Sequence, residues 1–442
     1  MDNPNPVSEI STKIGNSVTF KIITMTILVL LLLIPAMMIE SLIHERESRK
    51  KEVTNEIGEK WGREQTLTGP IISIPYKAYN TDKDGKPVSS IEYAHFLPDS
   101  LDISGKLYPE RRYRGIYEAV LYDAQLELSG SFSFPQIEQL GIRPEDIIWS
   151  EALITIGISD MRGIKDQVSA MFNNDSLIMN PGLKTNDIFP SGISAGISWP
   201  NETGIYPFKF FLDLNGSQQI NFMPLGRMTN VSVTSDWTDP SFTGAFLPSE
   251  RTIDKDGFSA QWKILDLNRN YPQSWKGNKY SINDSAFGIK MFVPVDIYQK
   301  SMRTAKYAIM FIVFTFIAFF FSEIMNKVRV HPIQYLLIGL AIMLFYSLLI
   351  SISEHTNFNF AYIISSISVI ALISGYAKAI LKKTSMSAMV GGILMILYGY
   401  LFIILQLEDY ALLMGSIGLF VVLGLVMYLT RKINWYSIKF EK

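Results

Sequence analysis

The chain has 442 residues, 48% hydrophobic and 18% charged, with 40 basic and 41 acidic side chains for a net charge of -1. That balance sets aside a nucleic-acid partner, which needs a basic field strong enough to displace counterions from phosphates. With no cysteine and only four histidines, disulfides, thiolate catalysis and cysteine-based metal sites are excluded, no cofactor or metal is expected, and a domain outside the cytoplasm must stand on its core alone.

Residues 1–20 are polar and read as a cytoplasmic N-terminus, and the uncharged run at 22–39 then predicts a first transmembrane helix over 21–40. A cleaved signal peptide is the competing reading, but the run is long for one and no small-x-small site closes it. Residues 41–65 are dense in charge, with Glu45/Arg49, Glu47/Lys51, Glu56/Lys60 and Glu59/Arg63 all spaced i,i+4 in the favourable order. They predict a solvated helical stalk, on which Val53, Ile57 and Trp61 form one narrow apolar stripe. The stalk stops at the turn signal Thr68-Gly69-Pro70.

Residues 66–303 are assigned to a periplasmic β-rich domain, because from 70 to 294 no apolar run reaches membrane length. Strand chemistry appears at 101–107, 115–134, 147–158, 204–214, 231–237, 258–267 and 286–293, with polar residues at every second position from Gln125 onward. Asp84-Gly85, Asn215-Gly216 and Asp256-Gly257 read as turns. The expected fold is a mainly antiparallel, sandwich-like domain with a short helix near 135–140. At about 225 residues it is large enough to bury a core without staples.

Five further apolar runs predict transmembrane helices at 304–325, 332–352, 358–378, 387–407 and 410–430, followed by a cytoplasmic tail at 431–442. Lys327, Arg329, His331, Lys378, Lys382, Lys383, Arg431 and Lys432 all fall on one side of this pattern. Glu354, His355, Glu408 and Asp409 fall on the other. Loops rich in Lys and Arg stay inside. The fold class is therefore a membrane bundle of six transmembrane helices plus a large extracytoplasmic β-rich domain inserted after the first helix, with both termini cytoplasmic. Arg46, Arg49, Lys50 and Lys51 run against this count, but they open a long translocated segment, where the rule is weak.

Certain stretches have a family character: WGREQTLTGPIISIPY at 61–76, SDMRG at 159–163, PVDIYQ from Pro294 with RTAKYAI and with FSE ending at Glu323, HPIQYLLIGLAIMLFYSLLISISEH at 331–355, and LEDYALLMGSIGLF with MYLTRKINWY. Over 61–436 the chain resembles the CreD-type inner-membrane proteins, often called cell-envelope integrity proteins. The resemblance implies a bacterial inner-membrane location, control by a carbon- or antibiotic-responsive two-component system, and an envelope-integrity role with altered colicin tolerance. It implies no established catalytic residues.

Residue by residue, chemistry is sparse. Gly192-Ile-Ser194-Ala-Gly196 matches the nucleophile-elbow pattern, but Phe189-Pro190 before it and Trp199-Pro200 after it deny the strand-turn-helix context. Asp160 with Arg162, and Arg63 with Glu64, are read first as residues that lock loops and second as recognition pairs. His331 with Pro332 reads as the start of a helix, with proline at the first turn where its missing N–H costs nothing. Glu354, His355, Glu408 and Asp409 form a candidate domain-docking or pH-sensitive cluster, with Lys300, Arg303 and Lys306 as opposing charges and Glu323 as a further acid near the inner face. Gly391, Gly392, Gly399, Ala411, Gly415, Gly418 and Gly424 permit close helix packing, and Trp435 with Tyr436 reads as an interfacial anchor.

The function expected from these readings is non-enzymatic support of envelope integrity or stress response. A small transporter or flippase-like carrier gated by its periplasmic domain is the alternative. Membrane lipids are the expected partners, together with an envelope protein or cell-wall component met through the periplasmic domain.

Overall fold

The computed structural model describes residues 18–81, 87–198, 204–291, 297–326, 329–407 and 410–431. Readings that fall on residues 1–17, Asp84-Gly85, Lys327, Glu408, Asp409, Lys432, Trp435 and Tyr436 lie outside the described residues. The chain forms two compact units, Lys50–Pro294 and the combination of Met1–Arg49 with Val295–Lys442.

The first helix, α1 (Val18–Trp61), has 44 residues, so the apolar run and the charged stalk are one helix that ends four residues before the expected 65. The i,i+4 charge pairs, with no glycine between Val18 and Gly58, favour its continuation out of the apolar stretch beyond Pro35. Two helices, α2 (Ile297–Lys306) and α3 (Ala308–Asn326), meet at a 44° bend where a single span at 304–325 was expected. They are followed by α4 (Pro332–Ser353), α5 (Phe358–Leu381), α6 (Thr384–Gln406) and α7 (Ala411–Thr430).

Among the described residues four helices are long and apolar enough to cross a membrane, or five when the bent pair counts as one span. In α7 the apolar stretch Leu413–Tyr428 is shorter. At 1.5 Å per residue, the 22 residues of α4 span about 33 Å, matching a hydrocarbon core. The bundle packs on aromatics: Phe345 lies 5.4 Å from Tyr362 and 4.7 Å from Tyr398, which lies 4.7 Å from Phe311. The Tyr362 hydroxyl donates to the Tyr398 carbonyl at 2.7 Å, which satisfies a polar group inside the bundle.

The other unit is β-rich. An eight-stranded sheet runs, in spatial order, Glu250–Asp254, Gly257–Leu265, Met228–Ser235, Ser100–Arg114, Tyr117–Ser133, Ile205–Ser217, Ser169–Phe172 and Asp175–Leu177. A nine-stranded sheet is centred on Gln65–Thr81, flanked by Gln219–Phe222, Pro87–Phe96 and Leu153–Ile158. Most pairings are antiparallel, but Gln65–Thr81 pairs in parallel with Gln219–Phe222, and Ser100–Arg114 with Met228–Ser235.

The two sheets share one buried cluster. Alternation supplies it: along Ile205–Ser217 the side chains of Tyr206, Phe208, Phe210, Leu212 and Leu214 are buried, while those between are exposed or half-buried. Each such side chain contributes about 1.5–3 kcal/mol of burial. The expected short helix is a 3₁₀ turn, Ile137–Leu140. Asp256 lies in a hairpin turn as expected, since Asp254 pairs with Gly257. Asn215-Gly216 does not form a turn. Both residues lie within the strand Ile205–Ser217, paired with Asp123 and Tyr122, because the long partner strand Tyr117–Ser133 continues past them.

Candidate functional site

Four of the residues singled out in the sequence meet at one place in the β-rich unit. The helix α1 ends at Trp61, and Gly62 then turns the chain at φ +154°. A Cβ on Gly62 or Gly163 would overlap the Asn215 carbonyl oxygen, at 2.5 Å and 2.3 Å, so both segments close on that strand only as glycines. Gln65, fully buried, bridges them: its side-chain amide donates to the carbonyls of Asp160 and Asn215, each at 3.0 Å, and its oxygen accepts from the Asp160 N–H. The Ser159 hydroxyl donates to the Glu64 carbonyl and accepts from the Thr66 N–H, both at 2.9 Å.

Asp160 is the centre of this network. Its carboxylate accepts from Nε and Nη2 of Arg162, both at 2.9 Å, and from the backbone N–H groups of Arg63 at 3.0 Å and Arg162 at 3.2 Å. Burial alone would raise this carboxyl, but the Arg162 guanidinium and the two N–H groups outweigh it and hold the pKa below its ordinary value. Beside it opens a polar cleft of about 630 Å³, with Asn55, Glu59, Arg63, Glu64, Arg162 and Gln218 at its walls. The Arg63 guanidinium, just past the end of α1, pairs with Glu59 in its last turn. Every acceptor position on Asp160 faces a donor, so it is fitted to hold a loop rather than to move a proton. The exposed groups, Arg63, Glu64 and Arg162, are fitted to polar recognition.

His331 and Pro332 open α4. Nδ1 of His331 accepts from the Ile333 N–H at 3.2 Å, its own N–H donates to Gln334 Oε1 at 2.8 Å, and Pro332 fills the first helical position. At the far end of α4 the Glu354 carboxylate accepts from the Tyr298 hydroxyl at 3.1 Å and lies 3.8 Å from Arg46 of α1. His355 is exposed, and Glu408 and Asp409 lie outside the described residues. One cation beside Glu354 is thus supplied by α1, and the Lys300 ammonium lies over the Phe358 ring at 5.9 Å.

Ser194 sits in the strand Gly192–Gly196, its hydroxyl donating to the Gly182 carbonyl at 2.9 Å, so the elbow geometry is absent there. Among the described residues no three His, Asp or Glu side chains gather as a metal site would require.

Two polar clusters escape the sequence reading. In the β-rich unit the buried His95 ring has Ser73 Oγ at 2.9 Å from Nδ1 and Asp187 Oδ2 at 3.0 Å from Nε2, with the Trp275 ring 5.9 Å away. Burial lowers the His95 pKa and outweighs the opposing effect of Asp187, so the ring is neutral, with Ser73 donating to Nδ1 and Nε2–H donating to Asp187. A hydrolytic triad uses the two ring nitrogens the other way round and exposes its serine. Here Ser73 is buried. In the bundle, Glu323 of α3 is fully buried and ion-paired with Lys21 of α1, and it accepts from the Val330 N–H at 3.1 Å and the Tyr335 hydroxyl at 3.2 Å. Lys21 and Glu323 were each visible as charges bordering apolar runs, but nothing in their spacing joins them.

With this geometry in hand, the chain can be compared with known proteins. The family described as Inner membrane protein CreD matches residues 17–436. This chain belongs to the CreD family. A CreD relative, the inner membrane protein CreD of Escherichia coli (strain K12), is 34% identical over 428 residues, covering 94% of this chain and 93% of the relative. Membership makes this a multi-pass inner-membrane protein, in keeping with its apolar helices. Among solved structures, an M1 zinc metallopeptidase from Deinococcus radiodurans is 9% identical, matches 44% of this chain to 42% of its own, and has a TM-score of 0.19. A mutant two-domain M1 zinc metallopeptidase bound to L-arginine is 10% identical, over 44% of this chain and 42% of that one, at a TM-score of 0.21. Likeness at that level carries no argument about CreD proteins.

Proposed function

We propose that this CreD-family chain is a non-enzymatic protein of envelope integrity or envelope stress, and that its β-rich unit meets an envelope protein or cell-wall component on the periplasmic side. The supporting observation is the network around Asp160. Two distant motifs, WGREQ and SDMRG, interlock so that their buried groups are saturated, and Arg63, Glu64 and Arg162 are presented along a polar cleft. Such a rigid edge suits recognition, because groups held in place lose little entropy when a partner binds.

In this reading six transmembrane helices surround the membrane section, the β-rich domain of 66–303 follows the first of them, and both termini are cytoplasmic. The one-sided placement of Arg329, Lys378, Lys382, Lys383 and Arg431 supports that orientation. The transport reading draws on one observation, the ionisable Glu323 buried within the helices.

The test is complementation. Cells lacking the protein receive variants carrying Arg63→Ala with Glu64→Ala, two exposed residues, and are challenged with detergent and cell-wall antibiotics. The expected result is lost protection at unchanged protein level in the membrane. Full protection by this double variant would remove the recognition role. A cysteine at the exposed turn residue Lys255 should also react with a membrane-impermeant thiol reagent in intact spheroplasts, and labelling only after lysis would overturn the orientation.

A further inference from the structure

We infer that the ion pair between the partly exposed Lys21 and the fully buried Glu323 is a fastener that holds α1 against the helix bundle in one register. Within residues 20–39 of α1 only Leu32 is buried, whereas α4 buries eleven residues. Within this stretch apolar packing therefore does little to distinguish one placement of α1 from another, since Phe20, Ile23, Ile27, Leu30, Ile34 and Met37 are all exposed, although Ile43 farther along is buried. Lipid is as apolar as these side chains, so burying them against the bundle brings no hydrophobic gain.

Specific placement comes from two contacts. The first is the charge pair. Glu323 is fully buried, and its carboxylate receives Lys21, the Val330 N–H and the Tyr335 hydroxyl, with the Tyr335 ring held by Phe316 at 5.2 Å. Without Lys21 that carboxylate would lose its ion-pair partner inside apolar surroundings, which is unfavourable even with the charge of Arg329, which acts on Lys21, in the neighbourhood. The pair thus penalises every position of α1 that does not deliver Lys21 to this point. This use of a buried pair, fixing register more than adding stability, is its best-attested role.

The second contact is a notch. A Cβ on Gly339 of α4 would lie 2.1 Å from Leu32 Cδ1, so Leu32 occupies the space that the missing side chain leaves. One knob in one notch resists sliding but not detachment. At the other end of α1, Arg46 faces Glu354 at 3.8 Å with a half-exposed guanidinium, a contact worth little by itself. The Lys21–Glu323 pair is accordingly the element whose loss frees the helix.

The notch also supplies a reporter. The Leu32 Cγ lies 3.2 Å from the position of a Gly339 Cβ, so cysteines at both positions fall within disulfide reach, in a chain with no other thiol. The full-length protein carrying Leu32→Cys and Gly339→Cys, with a protease site inserted in the exposed turn at Gly115, is oxidised in native membranes and cut. Halves that migrate together without reductant report docked α1. Lys21→Arg, which keeps the charge, should crosslink like the parent. Lys21→Met, and Lys21→Met combined with Glu323→Gln, should each lose crosslinking roughly fivefold or more at equal amounts in the membrane.

Full crosslinking in Lys21→Met would overturn the inference directly. So would full crosslinking in the double variant alone, because the loss in Lys21→Met would then reflect only a stranded carboxylate. A loss in Lys21→Arg equal to that in Lys21→Met would overturn it too, by showing that side-chain shape and not charge holds the helix.

Discussion

His95 makes the stability of the β-rich unit depend on pH in a window where few other groups act. The ring is neutral in the folded state and its pKa is lowered, first by burial, with Asp187 opposing. In the unfolded chain it titrates near 6.5. Above that pH neither state is protonated, so His95 adds no pH dependence. Below it the unfolded chain binds a proton that the folded one refuses, and stability falls as the pH drops, until the folded pKa is reached. Each pH unit in that window costs about 1.4 kcal/mol, which for a unit of this size lowers the melting temperature by about 3–6 °C.

Asp160, with its pKa held below the ordinary carboxylate range, acts with a separate window. Its contribution is present above the unfolded pKa, near 4, and is lost only below it. The assay is thermal melting of the purified full-length protein in detergent between pH 7.5 and 5, followed by tryptophan fluorescence, with Trp275 beside the His95 ring as one of the reporters. The parent should lose stability from about pH 6.5 downward, and His95→Gln, less stable at pH 7.5, should show a flatter profile. A parent profile flat to pH 5.5, or an equal slope in His95→Gln, would refute the assignment of a neutral buried ring.

Gly163→Ala should destabilise the β-rich unit by about 1–3 kcal/mol, because its new methyl meets the Asn215 carbonyl and the Gln65 amide, each at 2.3 Å; a melt within 1 °C of the parent would mean the loop gives way freely. Phe210→Ala, at a fully buried position between Phe208 and Leu212, should cost about 3–5 kcal/mol by denaturant unfolding, and a loss under 1 kcal/mol would place Phe210 outside the core.

What could be read in advance follows from the range of the interactions. Apolar runs such as residues 333–351 are local and chemically extreme, so the four long apolar helices among the described residues were legible one by one. Alternation around Gln125 is equally local, and it marked a strand, expected over 115–134, that the structure sets at Tyr117–Ser133. Asn215-Gly216 misled, because a dipeptide that favours turns in isolation is held straight by a partner strand found almost a hundred residues away. The bend between α2 and α3 was hidden, since Lys306 and Tyr307 sit inside an otherwise continuous helical pattern. Of the candidate site, Arg63, Glu64, Asp160 and Arg162 were named as two separate pairs. Their meeting depends on Gln65 and on two glycines at the Asn215 carbonyl, which carry no chemical signal of their own. Ser73, His95 and Asp187 likewise acquire meaning only when three separate segments pack together.

The parallel pairing of Gln65–Thr81 with Gln219–Phe222 sets a schedule for the growing polypeptide. Gln65 finds its partner Ile220 only after some 150 further residues have been made, and Phe222 finds Phe287 later still. Until then the edge of the earliest strand presents unpaired N–H and C=O groups, and long-range pairing of this kind is intrinsically slow. Without cysteines, no covalent staple can trap a half-formed sheet. During synthesis the β-rich unit is thus an unfinished assembly with an adhesive edge, exposed to proteases and chaperones for the time a ribosome takes to add roughly two hundred residues, about 10–40 s at ordinary bacterial rates.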